Sequence, residues 1–88
     1  MAKLAISIKW KDGTAQEVRI TPAAEVAFED WAGVGLHIAL SPEHGKNKNV
    51  YRLAWESLKA AGTVVKPFED FLKEIDDADL VTTTANPT

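Results

Sequence analysis

His37 and His44 are the only histidines in a chain that has no cysteine, which makes them the first candidates for metal or acid–base chemistry. They stand seven residues apart and lack the HExxH spacing that places two imidazoles on one helix face. A metal site also needs further convergent ligands and a shell that orients them. The expectation is therefore a half-buried His37 and a loop His44. Six carboxylates, Glu69, Asp70, Glu74, Asp76, Asp77 and Asp79, crowd the C-terminal quarter. A calcium loop needs a turn glycine and ligands at fixed alternate positions up to a closing glutamate, and that spacing is missing. These acids read as a solvated face, with docking of a basic partner as the functional alternative.

Gly33-Val34-Gly35 has the look of a phosphate loop but lacks the third glycine and the Lys-Ser/Thr pair, so helix termination explains it better. The bases Lys46, Lys48, Arg52, Lys59 and Lys66 could meet phosphate, yet Glu56 compensates Arg52 and Lys59, and no aromatics interleave for base stacking. No Ser/His/Asp or paired-carboxylate arrangement stands out, and catalysis needs a water-excluding pocket that so small a chain can barely enclose. The sequence therefore predicts no catalytic, cofactor-binding or metal-binding residues. Three tryptophans remain: Trp10, Trp31 and Trp55. Each can be a large piece of a small core, or one can stay at the surface as a binding anchor. Trp55, near the edge of its helix's apolar arc, is the expected anchor.

The totals narrow the class. The 88 residues form one domain, 45% hydrophobic and 26% charged, as in globular chains. Absence of cysteine excludes disulfide frameworks, thiolate zinc sites and Cys nucleophiles, and suits a reducing compartment. Residues 1–9 alternate instead of forming an apolar run, so no signal peptide is expected. No stretch approaches the ~20 apolar residues of a membrane span. The net charge of −3 is banded: residues 1–20 carry four bases and two acids, 21–45 four acids, 46–66 five bases and one acid, 67–88 one base and six acids. Alternating bands argue against a nucleic-acid binder, whose basic surface is concentrated.

The elements follow from periodicity. Leu4, Ile6, Ile8 and Trp10 alternate with polar or small residues, Asp12-Gly13 is a turn pair, and Val18 and Ile20 resume the alternation. That predicts a β-hairpin over residues 1–20, marginal alone and in need of a helix on its apolar face. Thr21-Pro22 caps a helix to about Ala32, with Ala24, Ala27, Phe28 and Trp31 at i, i+3, i+4, i+7 and Gly33 as the stop. Residues 34–46 predict a short helical turn and then a loop, although Ser41-Pro42 resembles a fresh cap. A helix from about Asn49 to Ala61, closed by Gly62, is apolar over most of its circumference, with Arg52, Glu56 and Lys59 on one polar stripe. A surface helix needs an apolar arc only a little over ~100° wide. This one is either central to the core or presents a second apolar face to a partner. Pro67 opens a last helix with Phe68, Phe71, Leu72 and Ile75 on one stripe, ending or fraying near Ile75 because Asp76 and Asp77 do not suit its negative end. Leu80-Val81 then form a last apolar anchor, and 82–88 a disordered tail. The fold class is thus α+β: an N-terminal β-hairpin (1–20) packed on about three short α-helices (21–81), followed by that tail.

The order of these signals from Ile20 to Val81 resembles a known family. Ile20-Thr21-Pro22 opens a short acidic helix that ends at glycine. Tyr51-Arg52-Leu53-Ala54-Trp55-Glu56-Ser57-Leu58-Lys59-Ala60-Ala61-Gly62 follows, then an apolar spacer and Pro67-Phe68-Glu69-Asp70-Phe71-Leu72-Lys73-Glu74-Ile75-Asp76-Asp77. It is similar to the tail assembly chaperones of long-tailed bacteriophages. The resemblance implies a non-enzymatic chaperone in the infected bacterial cytoplasm. It would coat the long helical tape measure protein, help recruit tail tube subunits and be absent from the finished virion. It also implies, in many members, a longer form made by ribosomal frameshifting, for which the segment from Thr82 would suit the junction. Tyr51, Trp55, Leu58, Phe68 and Phe71 are the expected partner-binding residues, and a homo-oligomer is compatible with the same surface. The competing readings are a structural tail or connector component that stays in the particle, and a small inhibitor or regulator of a host protein.

Overall fold

Alternation in the first twenty residues produces the hairpin as expected. In the computed structural model, which describes residues 2–39 and 47–84, β1 (Ala2–Trp10) pairs antiparallel with β2 (Ala15–Arg19). Gly13 closes the turn at φ 95°, its N–H donating to Trp10 C=O, and Thr14 accepts the N–H of Trp10 in turn. The Asp12 carboxylate accepts the Thr14 backbone N–H at 2.8 Å and its hydroxyl at 2.6 Å. Those two bonds hold its pKa below the ordinary carboxylate value.

Helix α1 (Pro22–Ala32) begins and ends where its caps dictate. Thr21 Oγ1 accepts the Ala24 N–H, Pro22 takes the first turn, and Gly33 at φ 77° donates back to Glu29 C=O. The single turn α2 (Leu36–Ala39) is held at both ends by side chains from its neighbours. Glu29 Oε2 accepts the Leu36 N–H at 2.7 Å, and Asn49 Nδ2 donates to Ala39 C=O at 3.0 Å. Leu40 to Lys46, with Ser41-Pro42 and His44, lie outside the described residues. Helix α3 (Asn47–Ala60) ends in a Schellman motif: Thr63 N–H reaches Leu58 C=O and Gly62 N–H reaches Lys59 C=O, with Gly62 at φ 88°. Helix α4 (Phe68–Glu74) follows Pro67.

The C-terminal segment departs from expectation. Helix α4 stops at Glu74, in line with the end expected near Ile75, but the chain then forms a third strand, β3 (Ile75–Thr84), antiparallel to β1, giving the sheet order β2-β1-β3. The helical part thus ends at Glu74 instead of residue 81, and the tail expected from residue 82 is paired through Thr84, opposite Ala2. Trp10 faces Ile75 while Lys9 faces Asp77, so the ladder carries an extra residue there.

Helix α3 is the hub. Its Leu53, Ala54 and Leu58 are 0–1% exposed and pack with Ile6, Ile8 and Val18 of the sheet and Phe28 of α1 in one cluster. The hairpin's apolar face does lie on this helix. Ser57 Oγ is buried there without a hydrogen-bond partner, and each such group costs about 1–3 kcal/mol.

Candidate functional site

Where α3 meets α4, the core changes from aliphatic to aromatic and opens to solvent. Three residues outside the aliphatic cluster, Trp31 of α1, Trp55 of α3 and Phe68 of α4, are each half-buried against it. Phe68 links them, its ring 6.5 Å from Trp31 and 5.8 Å from Trp55 in edge-on geometry. It also stacks on Phe71 at 6.4 Å, which carries the chain of rings on to Trp10 of the hairpin. Trp55 Nε1 donates to Lys66 C=O at 2.8 Å, so the connector before α4 fixes the indole's orientation.

Cations cover these rings. The Arg52 guanidinium lies 4.4 Å from the Trp55 centroid and 5.0 Å from both Trp31 and Phe68. Lys59 sits 4.2 Å over Trp55, and Lys48 5.5 Å over Trp31. A guanidinium over several ring faces is held by their quadrupoles. Its other anchor is Glu56, whose Oε2 accepts from Nε at 3.0 Å and lies 3.0 Å from Nη2, with Lys59 4.0 Å from the other carboxylate oxygen. Glu56 is 6% exposed, so the compensated polar stripe is built on a largely buried carboxylate that sets the posture of Arg52. Trp31, Arg52, Trp55, Pro67 and Phe68, with Glu69 and Asp70 at one lip, line an open groove of about 560 Å³. Lys66 pairs with Glu74 nearby, an ion pair that raises the lysine's pKa.

Of the five expected partner-binding residues, Tyr51, Trp55 and Phe68 reach the surface. Leu58 and Phe71 are buried in the core, at 1% and 2% exposure. Trp31, one of the three tryptophans weighed as an anchor, and Arg52 join the groove although neither is among those five. The signal for Arg52 was present in its i+3 spacing to Trp55, which puts guanidinium and indole on one flank.

His37 falls in α2 and His44 outside the described residues. Among the described residues no group of three or more His, Asp or Glu is placed to hold a metal ion, and no helix is long and apolar enough to cross a membrane. In comparisons with known proteins, no family model, no curated protein and no solved structure matched the chain.

Proposed function

We propose that this chain is a non-enzymatic assembly chaperone that seats a helical segment of its client in the Trp31–Arg52–Trp55–Phe68 groove. The groove itself carries the reading: half-buried aromatics, preset by hydrogen bonds and cations, open to solvent beside a closed core. Aromatic and arginine side chains of this kind supply the anchors of protein interfaces. A helix laid in such a groove is gripped through its i, i+3, i+4 residues without strict sequence demands. The basic Arg52 and the acidic Glu69 and Asp70 of the lining can orient a client that carries both charges.

The client class comes from the resemblance of residues 20–81 to the tail assembly chaperones of long-tailed phages. On that reading the chain works in the bacterial cytoplasm, keeps the tape measure protein soluble and helps recruit tail tube subunits. No cofactor, nucleic acid or membrane takes part. A frameshift junction between codons 78 and 88 would fall inside or just beyond β3, so the encoding gene should carry a slippery heptamer there and an overlapping frame before a long helical gene.

Co-expression with the tape measure candidate is the test. The client is expected in the soluble fraction only when this chain is present, and Trp55→Ala is expected to weaken that rescue more than it lowers the melting temperature. A client equally soluble with and without the chain would end the chaperone reading. Stoichiometric recovery of the chain from purified virions would mark it as a structural component instead.

A further inference from the structure

The two edges of the sheet are guarded differently. β2 is only five residues long, a usual way to blunt an edge. β3 runs for ten residues and carries Asp76, Asp77 and Asp79 and the extra residue beside Lys9. The direction of its backbone groups follows from the hairpin. Ile20 N–H donates to Leu4 C=O and Trp10 N–H to Thr14 C=O, so the even-numbered residues of β1 point toward β2. The odd ones point toward β3, where Ser7 faces Asp79, Lys9 faces Asp77 and Ala5 faces Val81. The N–H and C=O groups of Ala78 and Leu80 therefore point out of the sheet; Ala78 is covered at 5% exposure, which leaves those of Leu80 as the open pair, and no other strand pairs with β3 among the described residues.

The side chains along this edge have a definite chemistry. Ala78 and Leu80 stand on the helix-bearing face, opposite Ile8 and Ile6, and Leu80 is 39% exposed. Asp77 and Asp79 stand on the other face, and Asp76 is exposed at the irregular step. We propose that Asp77–Val81 is a strand-addition site for an extended segment of a partner protein in which Lys or Arg alternates with apolar residues. Added strands gain affinity from main-chain bonds and specificity from alternate side chains. The inner side of β3 already accepts that pattern, since β1 sets Lys9 against Asp77 and Ile6 and Ile8 against Leu80 and Ala78. A second copy meeting this edge in a register centred on Ala78 would set Asp77 against Asp79 of its partner strand, where like charges oppose pairing. This site is separate from the aromatic groove and stands whether or not the chaperone reading does.

The experiment titrates the full chain with two fluorescein-labelled nonapeptides, one alternating Lys and Val, the other Glu and Val. Anisotropy reads affinity, and amide hydrogen exchange reads location. The Lys/Val peptide is expected to bind, to slow exchange at Leu80, and to weaken with added salt. The Glu/Val peptide should bind at least about tenfold more weakly, as opposed rather than paired charges dictate. Asp76→Lys with Asp79→Lys, both exposed positions, should reverse the preference. Leu80→Pro should abolish binding while keeping the β1 pairing, because the N–H it removes is the outward one. Equal binding of both peptides, no binding, or protection at the groove instead would overturn the proposal. So would a dimer in light scattering whose Leu80 amide is already protected without peptide.

Discussion

The two flanks of α3 are built from the same helix and end in opposite states. On one flank Leu53, Ala54 and Leu58 are shut between the sheet and α1, with less than 2% of any of them exposed. On the other, Arg52 and Trp55 meet Trp31 and Phe68 and stay half-open. The aliphatic flank is satisfied by shape alone, whereas the aromatic flank is satisfied by ring edges, cations and one indole hydrogen bond and still faces water. An apolar excess on a helix is thus not itself a docking surface. What separates the flanks is whether the chain's own side chains close over it.

The sharpest way to break this contrast is Leu58→Ala. Truncating a buried leucine costs about 2–5 kcal/mol, so denaturant unfolding should show a loss of that size while the groove residues keep their contacts. A fully stable variant would mean α3 is not the hub. Next in size is Arg52→Ala, which strips the nearly buried Glu56 of its closest partner, at 3.0 Å, and leaves Lys59 at 4.0 Å. The loss should be about 1–3 kcal/mol, and a double-mutant cycle with Glu56→Gln should recover part of it. Independent, additive effects would show that the ion pair does not hold the guanidinium over the rings.

How far these flanks could be read beforehand depended on which forces acted locally. Thr21-Pro22 and Gly33 dictate α1 through capping alone, and its bounds match the structure. Asp12-Gly13 likewise specifies the hairpin turn. β3 was illegible for three reasons. Asp and Ala are poor strand formers, the irregularity beside Lys9 breaks the period between Ile75 and Ala78, and Thr82–Thr84 resembles a polar tail. Tertiary pairing with β1 overrides all three. The groove was half-legible: α3 announced surplus apolar surface, but only the fold brings Trp31 and Phe68, 37 positions apart, to ring contact. Leu58 and Phe71 fit an apolar stripe equally well as core or as anchor, and periodicity alone does not divide them.

The smallest effect expected lies at the hairpin turn, far from either flank. Because the Asp12 pKa is lowered in the folded chain, its contribution is present above the unfolded carboxylate pKa and lost as pH falls through the folded value. Asp12→Asn should therefore flatten the acid end of the stability profile slightly. An unchanged profile would mean the Thr14 bonds are as strong to the neutral acid.

The sheet's central strand is also its first. β1 meets β2 as soon as the hairpin is made, but its other partner is β3, so that Ala2 waits for Thr84. During synthesis on the ribosome, one side of β1 must stay unpaired until Ile75–Thr84 has emerged. A two-stranded ribbon is marginal in water, and such long-range pairing is slow to form. The domain is therefore completed by its last strand, and a nascent chain stalled before Ile75 would hold a helix hub on an unfinished sheet.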